Sequence, residues 1–205
     1  MLNVGVVGSG GIISKHIRHL EECKDGEIVA LCDVDPDMIR NVNATFFEDC
    51  PLPGYATPEE MYEDQQLDAA IITSPHTLHY GHAIQALEAG CHVFLEKPMT
   101  TSSAQARDLA DKAERLGKVI AVGYNTASKQ VFQYLRRQIR TGAWGALEMV
   151  TGFISQNWMK ATEGMWRQNP ALSGGGQAYD SGAHIFNSLL WSVESEPASI
   201  FSITD

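Results

Sequence analysis

Apolar residues fall along this chain in two alternating rhythms. Short unbroken runs at residues 2–7, 27–32, 69–73, 91–95 and 119–122 are separated by longer stretches in which apolar side chains recur every three or four positions. A short apolar run bounded by turn residues predicts a strand buried on both faces, and the wider spacing predicts an amphipathic helix. Residues 12–22 bring Ile13, Ile17 and Leu20 to one side, and residues 102–116 do the same with Ala106, Leu109, Ala113 and Leu116. Between them Pro36 opens a helical stretch toward Phe47, and Thr57-Pro58-Glu59-Glu60 reads as N-cap, first-turn proline and capping-box glutamate. Residues 77–88 form the helix that returns to the run ending at Leu95. Strands alternating with helices predict an α/β domain built on a parallel, doubly wound sheet, because each crossover must pack back on the sheet with a right-handed turn.

The rhythm changes after Gly123. A helix is predicted at 129–140, an alternating strand at 147–154, then an aromatic, polar loop carrying Trp158 and Trp166. Ser173-Gly174-Gly175-Gly176, a helix at 178–191 and a last strand at 198–204 follow. The pattern divides the chain into a doubly wound domain over residues 1–123 and a second, α+β domain over 124–205. Two strands make a poor sheet, and an apolar strand with unpaired edges recruits another chain, so a homo-oligomer joined through this C-terminal sheet is expected.

Charge narrows the partners. The chain has 25 acidic against 15 basic residues, a formal charge of −10, and its lysines and arginines are scattered. No nucleic-acid partner is expected, since such proteins carry a basic patch or stripe. Cys23, Cys32, Cys50 and Cys91 show neither CxxC spacing nor the density of a secreted disulfide framework, and read as reduced thiols. No run is long enough to span a bilayer, and the N-terminus enters a glycine turn where a signal peptide needs an unbroken apolar core, so the expected setting is the cytoplasm, without a membrane. His76, His79 and His82 suggest a metal, yet positions six apart on a helix diverge by well over a right angle, and no metal site is expected.

Three groups of residues carry chemistry. Gly8-Ser9-Gly10-Gly11-Ile12-Ile13 follows the first strand and opens a helix, where glycines let the backbone approach a pyrophosphate and free helix N–H groups attract it. Asp33 ends the second strand, near the offset expected of a ribose-binding acid, with Asp35 close by and no adjacent arginine, which favours NAD over NADP. Glu96-Lys97-Pro98 places a charged pair at the mouth of a buried strand that the proline must end. Alone it reads as a solvated pair at a turn; in open α/β sheets, though, ligands bind beyond the carboxyl ends of the strands. Asp180 and His184, after the glycine run, are four apart and share a face if helical.

In order and approximate spacing, the turn at Gly8 to Ile13, Thr73-Ser74-Pro75 with His79, Ala89-Gly90, Glu96-Lys97-Pro98, Gly123-Tyr124-Asn125 and Asp180-x-Gly-x-His184 together resemble the glucose-fructose oxidoreductase/inositol dehydrogenase family. The resemblance implies a Rossmann domain followed by a substrate and oligomerisation domain that is truncated here, and an NAD(P)-dependent oxidoreductase acting on a secondary alcohol of a sugar, inositol or related polyol. It implies catalysis by Lys97, Asp180 and His184, and cofactor contacts at Gly8, Gly10, Gly11, Ile12, Asp33, Ser74, His79, Glu96, Lys97 and Asn125. Substrate contacts fall on Lys97, Tyr124, Asp180, His184 and Asn187, with Trp158 and Trp166 added because their loop precedes the glycine run. A cis Lys97-Pro98 peptide is part of the same resemblance. Alcohol oxidation needs a base for the hydroxyl proton, for which His184 has the right intrinsic pKa. Lys97 is expected to stabilise alkoxide charge, and Asp180 to orient the substrate hydroxyl or the histidine. Ile13 stands where a third glycine or alanine is usual, Asn187 where aspartate is frequent, and Thr126-Ala127 where an arginine is common. The competing expectation is a nucleotide-binding sensor without turnover, or an inactive fragment, on the same fold.

Overall fold

The computed structural model describes residues 1–203. Six strands form one parallel sheet: β1 (Leu2–Val7), β2 (Gly26–Cys32), β3 (Gly54–Tyr55), β4 (Ala69–Ile72), β5 (His92–Leu95) and β6 (Ile120–Val122). Their spatial order is β3-β2-β1-β4-β5-β6. Helices α1 (Ile13–Cys23) and α2 (Pro36–Phe46) make the first two crossovers, and α3 (Pro58–Asp64), α4 (His79–Glu88) and α5 (Ser103–Leu116) make the rest. The order reverses between β1 and β4, and doubly wound sheets take ligands beyond the strand ends at such a reversal.

Successive strand residues feed opposite layers, which is why the strands read as unbroken apolar runs. Val4, Val6, Leu31 and Ile71 pack with Ile13, Ile17 and Val42 of α1 and α2. Val7, Ala30, Ala70 and Ile72 pack with Met61, Ala83, Leu87 and Leu109 of α3, α4 and α5. The capping box forms: Thr57 Oγ1 accepts from Glu60 N–H, and the Glu60 carboxylate accepts from Thr57 N–H, each at 3.3 Å. β3 escapes prediction because two residues paired to Leu31 and Cys32 leave no periodicity to read.

After β6 come α6 (Gln130–Arg140), α7 (Trp158–Ala161), α8 (Pro170–Ser173) and α9 (Ala183–Val193). The helix expected at 178–191 is split, a π-helical turn over Ala178–Gly182 leading into α9. The strands expected at 147–154 and 198–204 are not formed: residues 145–157 and 195–203 hold neither helix nor strand, and Thr204 lies outside the described residues. Alternation makes a strand only where a neighbour completes its ladder, and among the described residues these segments pair with nothing. Phe153 and Phe201 are consequently 90% and 87% exposed. No helix among the described residues is long and apolar enough to cross a membrane.

Candidate active site

The glycine turn fits the end of β1 for a local reason. Gly8 has φ of +95°, and a Cβ there would stand 2.7 Å from Ser74 N and 2.8 Å from the Thr73 carbonyl carbon, so the turn passes β4 too closely for any side chain. Gly8 N–H donates to Cys32 O and Thr73 N–H to Val7 O, each at 2.8 Å, tying three strand ends together. Ser9 N–H donates to Asp33 Oδ2 at 2.7 Å, and Asp33 Oδ1 accepts from Asp35 N–H at 2.9 Å. On the outer side, a Cβ at Gly10 or Gly11 would meet nothing within 4 Å. Among the described residues the amides of Gly10, Gly11 and Ile12 donate to no one. Ser9 Oγ is buried without a partner. An open cradle of backbone N–H groups at a helix mouth, with a carboxylate beside it, fits a dinucleotide.

The second group assembles around Asp180. Lys97, presented just past β5 on a cis Lys97-Pro98 peptide, donates from Nζ to Asp180 Oδ1 at 2.7 Å and to the Asp180 carbonyl at 3.0 Å. Asp180 Oδ2 accepts from Trp158 Nε1–H at 2.9 Å and faces Arg167 Nε at 3.4 Å. Burial pushes the Asp180 carboxyl pKa up, but the hydrogen bonds from Lys97 and Trp158 and the charges of Lys97 and Arg167 outweigh it, and the net pKa lies below the usual carboxylate value. His76 Nε2 is 4.0 Å from Asp180 Oδ1. Burial pushes the His76 pKa down to about 4, so at neutral pH this is a contact with a neutral ring and not an ion pair. His76 Nδ1–H donates to Ser173 O at 3.0 Å, the Trp166 ring stands edge-on 4.7 Å from it, and the Arg167 guanidinium lies 4.5 Å over that indole.

His184 follows at the start of α9, half-buried, with no hydrogen-bond partner among the described residues. Burial first, and the Lys97 charge second, hold its pKa below the usual imidazole value, so it is neutral with a free lone pair. Tyr124 stands edge-on to it at 6.1 Å. Asp180 does not bond to His184, as shared helical spacing allowed; the π-helical turn intervenes, and its carboxylate is committed to Lys97 and Trp158. A cleft of about 730 Å³ brings Ile12, Glu96, Lys97, Tyr124, Asn125 and His184 to one wall system.

Other expected contacts are placed differently. His79 is wholly buried, its ring nitrogens 2.8 and 2.9 Å from the carbonyl oxygens of Pro98 and Ser74, and its side chain presents nothing to the cleft. Ser74 supports Gly8 from behind, its hydroxyl 2.9 Å from His82 Nδ1. Asn187 opens on a separate pocket of about 460 Å³ with Pro98, Tyr124 and Phe186. Arg167 and His76 were not foreseen. Arg167 had only its neighbour Trp166 as a signal, and His76 reads in sequence as one of three helix histidines.

Comparison with known proteins decides the family. Residues 2–124 match the model of an oxidoreductase family with an NAD-binding Rossmann fold, and residues 132–205 match the GFO/IDH/MocA C-terminal domain. The chain belongs to the GFO/IDH/MocA family. A D-glucoside 3-dehydrogenase of Escherichia coli (strain K12) is 31% identical over 196 residues, 93% of this chain and 53% of that protein. A glucose-6-phosphate 3-dehydrogenase of Bacillus subtilis (strain 168) is 28% identical over 96% of this chain and 55% of its own length. The WlbA dehydrogenase of Bordetella pertussis, solved with NADH and UDP-GlcNAcA, has a TM-score of 0.84 at 24% identity, over 94% of this chain and 59% of that one, a likeness of fold. The chain thus spans about half the length of the curated relatives it matches.

Proposed function

We propose that this chain carries the nucleotide-binding domain, residues 1–123, and the start of the substrate domain, residues 124–205, of a dehydrogenase that oxidises a secondary alcohol of a sugar, inositol or related polyol. The observation that carries the reading is the 2.7 Å bond from Lys97 to Asp180, which joins the end of β5 to the turn before α9 at the mouth of the nucleotide crevice. A nicotinamide nucleotide, when bound, supplies the hydride acceptor. The amides of Gly10, Gly11 and Ile12 would hold its pyrophosphate and Asp33 its adenosine ribose, with Glu96 and Asn125 lining the crevice beyond. Asp33 and Asp35 would repel a 2′-phosphate, which favours NAD.

The chain's own groups divide the remaining work. Lys97, aimed by Asp180, donates a hydrogen bond to the substrate oxygen and stabilises negative charge there as the hydroxyl proton leaves. Neutral His184, open to the same cleft, accepts that proton. Trp158 and Arg167 fix Asp180 from its other oxygen, and Tyr124 and Trp166 supply flat walls. The names of the relatives, dehydrogenases of glucosides and glucose 6-phosphate, support a ring polyol as substrate. Mixing the protein with NAD and a panel of aldoses, glucosides and inositols should raise NADH absorbance with at least one. Nucleotide binding without reduction across the panel would sink the reading.

The free thiols at Cys23 and Cys50, both exposed, suit a reducing compartment, and we place the protein in the cytoplasm. Exposed Met149, Phe153, Ile200 and Phe201 suit an interface between copies rather than water. Light scattering during size exclusion should therefore give more than one chain; a monomer overturns the interface.

A further inference from the structure

His16 makes a contact that neither nucleotide binding nor proton transfer requires. It lies on α1, the helix that opens at the glycine turn, and its Nε2 is 2.9 Å from Glu96 Oε1. Both side chains are largely buried, 15% and 17% exposed, and the imidazole stands edge-on to Phe94 at 5.1 Å. The other oxygen, Glu96 Oε2, accepts from the backbone N–H of Lys97 at 3.2 Å, while Glu96 N–H donates to Ile72 O at 2.9 Å. The Glu96 carboxylate is therefore a bridge with one end on α1 and the other on the peptide that presents the lysine. Its space is limited from the far side as well. A Cβ at Gly123, just past β6, would stand 3.3 Å from Oε1, so the glycine leaves the carboxylate room that a side chain there would take up by a few tenths of an ångström.

We propose that His16 is a positioning residue for Lys97, acting through Glu96, so that the helix opening at the nucleotide turn sets where the lysine stands. This rests on Lys97 being the group that faces substrate oxygen. The physical reason is competition. Lys97 has two carboxylates within its field, Asp180 and Glu96, and only Asp180 holds its ammonium. Anchored by His16, Glu96 engages the lysine's backbone. Released from it, Glu96 is free to rotate toward the ammonium and draw it from Asp180, and small misplacements of a reacting group cost rate steeply. Burial raises the Glu96 pKa, but the hydrogen bonds from His16 and from the Lys97 backbone N–H, together with the Lys97 charge, bring it below the usual value. The other titratable groups around the cleft are Lys15, His19 and Cys23 on α1, Tyr124 after β6 and His184 on α9.

The test compares His16→Ala, His16→Gln, Glu96→Gln, the double variant His16→Ala/Glu96→Gln, and Lys97→Met, all in the full chain. The measurements are kcat and KM, NAD affinity by fluorescence, and the titration of the Glu96 carboxyl by carbon NMR. His16→Ala should lower kcat by about tenfold or more and leave NAD affinity within about threefold, and it should move the Glu96 titration upward. His16→Gln, whose amide N–H still donates to Glu96, should recover most of the rate. If His16 acts through Glu96, the double variant is no slower than Glu96→Gln alone. Additive losses, no rescue by glutamine, or an unmoved Glu96 titration overturn the proposal, and the titration is read without turnover. A slow Lys97→Met beside a parent-like His16→Ala overturns the role of His16 alone. A parent-like Lys97→Met removes the lysine's role and this inference with it.

Discussion

Replacing Lys97 by methionine should lower turnover by about 10²–10³-fold. Methionine keeps the length and apolar stem of lysine and removes the donor, so the loss measures the ammonium and not a cavity. The group is worth this much because it is fixed before substrate arrives: Asp180 takes two of its hydrogen bonds, one to Oδ1 at 2.7 Å and one to the carbonyl at 3.0 Å, leaving one N–H for a ligand oxygen. Breaking a buried ion pair also destabilises, by about 3–5 kcal/mol where the remaining charge has no other partner. Here Asp180 retains Trp158 and Arg167, so the stability loss should be smaller than that. The double variant Lys97→Met/Asp180→Asn separates the two effects, since it removes the stranded charge but restores no donor. Urea midpoints returning toward the parent value with turnover still low would assign the loss to chemistry. A single variant with the parent rate on a good substrate would show that the lysine does not act on it.

Most of the doubly wound sheet was legible because its strands are buried on both faces, so burial itself writes unbroken runs such as residues 69–73 into the sequence. The nucleotide turn was legible for a related reason: Gly8 has no room for a Cβ, and steric demands of that kind leave a glycine behind. The segments at 147–154 and 198–204 misled because alternation records a face to be buried, not the partner that buries it. Spacing could not reveal the site itself. Lys97 and Asp180 are 83 residues apart and meet only because β5 and the turn before α9 converge, so the resemblance of the motifs, rather than any local pattern, paired them. Local pattern even pointed the wrong way for Asp180 and His184. Four-residue spacing joins Asp180 to His184 on an α-helix, whereas the π-helical turn leaves the carboxylate to Lys97. His76 shows the same limit, since a histidine that is buried against Trp166 and Ser173 looks no different in sequence from a solvated one.

That buried histidine makes the protein acid-sensitive. His76 titrates near 6.5 when unfolded, but burial takes it to about 4 in the folded chain. Between those values the unfolded state binds the extra proton and the folded state does not, so stability is complete above about pH 6.5 and falls as pH drops toward 4, below which the difference no longer grows. From about pH 7.5 to about pH 4.5 this one group should remove about 2–3 kcal/mol of unfolding free energy. His82 and His184, also shifted down by burial, add to the same slope. Asp180 and Glu96 act lower still, because their pKa values lie below the usual carboxylate range and their contribution is lost only as pH falls through them. His76→Asn isolates the first contribution, because the asparagine amide can take the place of Nδ1–H against Ser173 O and does not titrate. Its stability at neutral pH need not equal the parent's; the decisive quantity is the change between the two pH values, read from urea unfolding. The variant should lose about 2–3 kcal/mol less than the parent over that interval, and an equal loss in both would mean that His76 is not the buried neutral ring beside Asp180.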